Sequence, residues 1–302
     1  MSSDLPTRDA IVATARESIA RGSKSFALAS RLFDRVTRER AWLLYAWCRA
    51  CDDLADGQDH GGTLQAVEDA PARIALIHEL TDRALGGEWV GVAAFDGLRL
   101  LCAEVPIPRA MIDDHIAGFA LDAEGWRPET EADLLRYCHH VAGAVGEMMA
   151  LVMGVAADDT DTLARADHLG LAFQLANIAR DVREDAAAGR CYLPKEWLRA
   201  RSSRAQSRGA NAESEPRPST TLGTSENLVR LAEMAAEYEA SARIGARRLP
   251  FRSRWAVLAA AGIYGEIARE VARRGADALD KRVVISGASK LGWVIRAFRQ
   301  AL

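Results

Sequence analysis

The sequence predicts an all-α protein folded as one domain. Apolar residues recur with helical period in nearly every segment of the 302 residues, strand-like alternation is scarce, and no internal repeat divides the chain. At 49% hydrophobic and 27% charged, the composition is that of a globular chain with a large core.

The periodicity predicts helices over 7–20, 23–33 and 38–57, the last with Thr37 as N-cap and Gly57 as stop. A helix over 64–86 carries Pro71 near its start. Those over 92–104 and 108–122 are separated by Pro106 and Pro108, which are tolerated at element ends. The next, over 130–154, stops at Gly154. Val141 to Ala157 is the most membrane-like stretch, but it is short for a span and contains Glu147, so it reads as a buried helix. A helix over 159–188 starts behind Asp158 and stops at Gly189, with Pro194 beyond. Residues 201–226 are rich in Ser, Arg, Pro, Gly and Asn and poor in large apolar side chains, which predicts a flexible surface loop. Helical pattern resumes over 225–248 and 252–275, so the loop is no domain boundary and one domain spans 1–302.

Several function classes are set aside by composition. A net charge of −3 argues against a nucleic-acid partner. No glycine-rich dinucleotide loop follows a strand. The five cysteines lack zinc-site spacing, and the Cys48–Cys51 pair has no βαβ context, so all five read as reduced thiols of a cytoplasmic protein. Asp4, Arg8 and Asp9 interrupt the N-terminus too early for a signal peptide. No basic amphipathic helix stands out as a membrane anchor.

Two acidic clusters carry the chemistry. Asp52 and Asp56 are four apart, as are Asn177, Asp181 and Asp185, so each set shares one helix face. Like charges about 6 Å apart repel by about 3 kcal/mol at an effective dielectric near 20. Both clusters follow strongly apolar runs, Ala41 to Trp47 and Leu169 to Ala176, where acids are costly unless paired or metal-bound. Mg2+ takes carboxylate oxygens and bridges to substrate phosphates, which points to a diphosphate substrate. Tyr45 and Arg49 continue the first stripe and Gln174 the second, while Arg180 lies beside Asp181 and suits the remaining diphosphate oxygens. Asp53 and Glu184 read as supporting charge. Ala142 and Gly146 leave a groove on one helix face, fit for a second helix or a long hydrocarbon chain. His139 and His140 read as polar helix positions rather than ligands.

Gly22-Ser23-Lys24-Ser25-Phe26, Leu44 to Arg49 running into Asp52-Asp53, Tyr137 to Gly143, Gln174 to Asp181 and Gly189 to Pro194 together resemble the squalene/phytoene synthase family of head-to-head prenyl transferases. The resemblance covers residues 8–200 strongly and 228–285 more loosely. It departs at Tyr238-Glu239, where the family often has a tyrosine pair, and at Gly265, where it has arginine.

The resemblance implies an isoprenoid-synthase helical fold around a central cavity that binds prenyl diphosphates. Asp52 and Asp56 would hold Mg2+, with Mn2+ as a substitute, on one side, and Asn177, Asp181 and Asp185 on the other. Two geranylgeranyl diphosphates would join head to head through prephytoene diphosphate to give 15-cis-phytoene, with no NADPH consumed. Ser25, Phe26, Tyr45, Arg49, Arg180 and Arg282 match positions around the diphosphates. Asp122, Tyr137, Gln174 and Tyr264 match cavity positions, and the family places prenyl tails along Val141, Ala142, Val145 and Gly146. The rival readings are a C30 squalene or dehydrosqualene synthase using farnesyl diphosphate, and a non-catalytic scaffold of the same family. Lipid substrates also make peripheral membrane association, and contact with other carotenoid or prenyl diphosphate enzymes, compatible with the sequence.

Overall fold

Asp34 starts the helix that carries the first acidic cluster. Its carboxylate accepts from the Thr37 backbone N–H at 3.0 Å and from the Thr37 hydroxyl at 2.7 Å, so Asp34, not Thr37, is the N-cap. The helix ends at Gly57, whose φ of 63° is a left-handed cap that a side chain would strain. The computed structural model describes residues 5–57, 69–198 and 225–302, and every regular element among them is a helix.

The main ones in chain order are α1 (Arg8–Gly22), α2 (Lys24–Ser30), α3 (Arg35–Asp56), α4 (Ala70–Leu85), α5 (Ala93–Glu104), α6 (Arg109–Ala123) and α7 (Glu131–Cys138). A π-helical turn (His139–Gly143) then leads into α8 (Ala144–Val152). After it come α9 (Thr160–Ala187), α10 (Ser225–Ala246), α11 (Phe251–Arg274), α12 (Asp277–Asp280) and α13 (Gly287–Ala301).

Two cores flank the space between α3 and α9. Leu43, Leu44 and Trp47 of α3 are fully buried with Phe95, Leu98, Ile112, Ile116 and Met148. Leu175 and Ile178 of α9 are buried with Leu228, Leu231 and Val271 of α10 and α11. Each large side chain so buried contributes about 1.5–3 kcal/mol. The five cysteines are free thiols.

Besides the Asp34 cap, the structure departs from the sequence expectation in four further places. The segment expected to be one helix over 130–154 contains the π turn. There Gly143 lies so close to α9 that a Cβ would fall 1.9 Å from the Asp167 carboxylate, so tertiary packing has overridden local propensity. The helix expected over 159–188 is capped by Asp159 rather than Asp158, through the Thr162 N–H at 3.1 Å. The helix expected over 64–86 begins at Ala70, with Pro71 in its first turn; residues 58–68 lie outside the described residues. Helix α13 was not expected at all. Gly287 and Gly292 weaken its pattern, and it is held by the Ser286 cap (3.1 Å to the Ser289 N–H) and by packing of Ala297 and Ala301 on α11. The expected 201–226 loop lies outside the described residues, apart from Ser225 and Glu226, which begin α10.

Candidate active site

Asp52 and Asp56 occupy the last turns of α3, and Asp181 and Asp185 the last two turns of α9. A helix C-terminus carries partial negative charge, so carboxylates there raise an already unfavourable potential. Both helix ends open on one cavity of about 800 Å³. Its wall runs back along α3 through Arg49, Cys48, Tyr45 and Leu44 to Ala41, and along α9 through Asn177, Gln174, Phe173 and Leu169 to Ala166. At about 1.5 Å per residue, the α3 wall extends about 17 Å from Asp52 to Ala41. The cavity is thus charged at one end and lined by apolar side chains along its length.

Four arginines pair with Asp52, Asp53, Asp56 and Asp181. Arg49 reaches Asp52 at 2.9 Å and Asp53 at 2.6 Å. Arg190, in the loop behind α9, reaches Asp56 at 2.5 Å. Arg180 donates to both oxygens of Asp181, with Nε at 2.7 Å, and Arg282 adds two more hydrogen bonds at 2.8 and 3.0 Å. Burial raises the Asp181 pKa, but these four bonds outweigh it and hold the carboxyl below its ordinary value. Asp185 is pushed up to about 7, by burial first and by Asp181 second. Asp52 is pushed up to about 6 by burial, with Asp56 adding to it and Arg49 opposing. The Asp52 side chain is 41% exposed and lines the cavity.

Aromatic side chains line the rest. Tyr137 and Tyr192 stack at 4.8 Å, and both hydroxyls donate to Asp122 at 2.9 Å. Burial raises the Asp122 pKa against Arg190 and these hydrogen bonds. Phe173 stacks on Tyr264 at 4.1 Å, and Phe26 leans on both. Tyr45 packs its hydroxyl against Gly22, where a Cβ would come within 2.4 Å, and burial pushes its pKa up to about 12.

Of the residues singled out in the sequence, the cavity walls include Phe26, Tyr45, Arg49, Asp52, Asp56, Asp122, Tyr137, Val141, Ala142, Val145, Gly146, Gln174, Asn177, Arg180, Asp181, Asp185 and Tyr264. Arg282 is not on the wall but joins the site through Asp181. Ser25 is not on the wall, because a neighbour of Phe26 on α2 points about 100° away when Phe26 faces the cavity. Ser23 caps α2 instead, accepting from the Phe26 N–H at 3.3 Å. The small-residue groove is also largely taken up by α9, since a Cβ on Gly146 would lie 2.3 Å from the Ala166 carbonyl and one on Gly170 2.3 Å from that of Ala142.

A model of the squalene/phytoene synthase family matches residues 19–289. The chain belongs to that family. The 15-cis-phytoene synthase of Pantoea ananas is 41% identical over 288 residues, 95% of this chain and 90% of that one. That of a Paracoccus species is 43% identical over 282 residues, 93% and 89% of the two chains. Among solved structures, a dehydrosqualene synthase in complex with ligand aligns at 26% identity over 96% of each chain with a TM-score of 0.76. The fold is therefore the all-α isoprenoid-synthase fold, in a family of prenyl transferases.

Within this squalene/phytoene synthase chain, sequence reasoning missed Arg190 and Tyr192 as site residues. The available signal was the stop at Gly189: the segment behind it returns the chain from Asp185 towards the cavity. Outside the cavity, Asp114, His139 and His140 form a tight group of metal-ligand types. His139 Nδ1 lies 2.8 Å from Asp167, and that hydrogen bond raises its pKa to about 9. A protonated His139 makes an ion pair with Asp167 that ties the π turn to α9.

The carboxylates in the cavity fit a divalent cation by chemistry: hard oxygen donors, two of them pushed up in pKa. Asp52 and Asp56 would hold one part of the Mg2+ complement, and Asn177, Asp181 and Asp185 the other.

Proposed function

We propose that this protein is a Mg2+-dependent 15-cis-phytoene synthase, joining two geranylgeranyl diphosphates head to head through prephytoene diphosphate. The observation that carries the reading is the pair of arginine-laced acidic helix ends at the charged end of a long apolar-walled cavity. Curated relatives named 15-cis-phytoene synthase, at 41–43% identity over more than nine-tenths of the chain, support it above the C30 alternative.

Each residue has a task in that reaction. Arg49, Arg180, Arg190 and Arg282 take the diphosphate oxygens in forked hydrogen bonds. Mg2+, when bound, neutralises the departing diphosphate and so favours ionisation of the allylic bond. Phe26, Phe173 and Tyr264 present ring faces to the cationic carbon skeleton, where quadrupole attraction favours positive charge. Tyr45 and Tyr137 stay protonated, and Tyr137 donates a hydrogen bond to Asp122 near the charged end. The apolar wall of α3, α8 and α9 holds the tails and keeps water from capturing the cation.

Incubation with Mg2+ and either geranylgeranyl or farnesyl diphosphate, followed by product identification, tests the reading. The expected product is a C40 phytoene. Preferential formation of a C30 hydrocarbon would replace the named reaction with the rival one, and no product from either substrate would favour a scaffold.

A further inference from the structure

One outer face of the molecule combines exposed apolar side chains with unbalanced positive charge. Leu291, Ile295, Phe298 and Leu302 of the C-terminal segment are 57, 52, 39 and 83% exposed, and their spacing of four, three and four puts them in one stripe on α13. The helix is anchored from behind, by Ala297 and Ala301 against α11 and by the Trp255 indole N–H donating to the Val294 carbonyl at 2.8 Å. Phe251, at the start of α11, extends the stripe, its ring 5.7 Å from that of Phe298.

Charge is segregated around this stripe. Residues 241–254 and 287–302 together hold eight arginines and lysines and no aspartate or glutamate, in a chain whose net charge is −3. Some of these cations are paired, Arg243 with Glu239 and Arg248 with Asp159 and Asp161. Arg247, Arg296 and Arg299 are exposed and form no ion pair among the described residues, and Arg296 lies over the Trp293 ring at 4.5 Å. An aliphatic and aromatic stripe flanked by arginines is the composition of a helix that lies in a membrane interface. The face also backs onto the cavity: Leu249, Ala256 and Val257 wall its apolar part, and Val257 packs in the same cluster as Val294 of α13.

We infer that this face docks on an anionic lipid bilayer. Leu291, Ile295, Phe298 and Leu302 enter the boundary between headgroups and acyl chains, while Arg247, Arg296 and Arg299 take lipid phosphates. Attachment is peripheral, because no helix among the described residues is long and apolar enough to cross a membrane. A second copy of the chain is the poorer occupant, since a two-fold interface would set this basic rim against itself. Docking would bring the apolar part of the cavity to the surface that receives a hydrocarbon product. That consequence alone rests on the proposed reaction.

The test is sedimentation of the full-length protein with phosphatidylcholine vesicles, with and without phosphatidylglycerol, in the absence of substrate. Binding to the anionic vesicles that weakens with added salt is expected. Arg296→Gln with Arg299→Gln should lower it about 25-fold, each basic residue near such a surface contributing about fivefold. Leu291→Ser with Ile295→Ser should lower it by about tenfold or more. Both double variants should keep wild-type turnover of detergent-dispersed substrate, which separates failed docking from a failed reaction. Absence of vesicle binding, equal binding to neutral vesicles, or wild-type binding by either variant would overturn the inference. So would sedimentation equilibrium showing a dimer that the Leu291→Ser, Ile295→Ser variant dissociates.

Discussion

The acidic ends of α3 and α9 read alike in sequence, yet the structure holds their charge differently. On α3, Asp52 is paired from within its own helix by Arg49, and Asp56 by Arg190 from 134 residues away. On α9, Asp181 is clamped by two arginines and held low in pKa, while Asp185, one turn on, is pushed up to about 7. One carboxylate on α9 is therefore an anion at neutral pH, while its neighbour titrates near neutrality.

The most severe way to break the comparison is to neutralise one acid on each helix. Asp52→Asn and Asp181→Asn should each lower turnover by about a thousandfold or more, the scale of removing a preorganised charge from a reacting centre. Circular dichroism should show the helices intact. Phytoene formation within about tenfold of wild type by either variant would remove that helix end from the proposed site.

Arg190→Ala should be next, at about a hundredfold in kcat/KM. It strips Asp56 of its partner and leaves a half-buried carboxylate uncompensated. Arg190→Lys should recover only part of the loss, because an ammonium cannot reproduce the fork. A full rescue by lysine would show that charge alone matters there.

How far these residues could be read from sequence follows from distance along the chain. Spacing of four within a helix is local, so Asp52 with Asp56, and Asn177 with Asp181 and Asp185, were legible. Arg282 meets Asp181 across 101 residues, and here the sequence had only the family resemblance to offer. Arg190 bonds to Asp56 across 134 and was missed. The π turn escaped for the same reason: Asp167 and Gly170, well beyond any local window, decide it. Ser25 lies off the cavity wall, since matching a motif does not state which way a neighbour of Phe26 turns.

Removing metal should expose the difference between Asp185 and Asp181 as a pH effect. Asp185 titrates near 3.8 when unfolded and near 7 when folded. Between these values the folded state keeps a proton that the unfolded chain has lost, so stability falls as pH rises. In EDTA the unfolding free energy should drop by about 2 kcal/mol from Asp185 across this window, after discounting for solvent in the cavity. Asp185→Asn should flatten that part of the profile. Asp181, held low, contributes stability in the opposite sense, present above its unfolded pKa and lost on acidification. Urea titrations from pH 2 to 8 would show whether the two slopes differ in sign.

The smallest effect should come from Arg282→Ala. Its guanidinium is 52% exposed, so its bonds to Asp181 are screened by solvent, and Arg180 remains on the same carboxylate. The expected loss is about tenfold in kcat/KM, carried mainly by KM and reduced further at high salt. Burial and Arg180 then set the Asp181 pKa between them, so the variant should also bring its titration closer to that of Asp185. A loss as large as that of Asp181→Asn would mean that the clamp on α9 is indivisible, and that the two helix ends differ in mechanism and not only in how their charge is held.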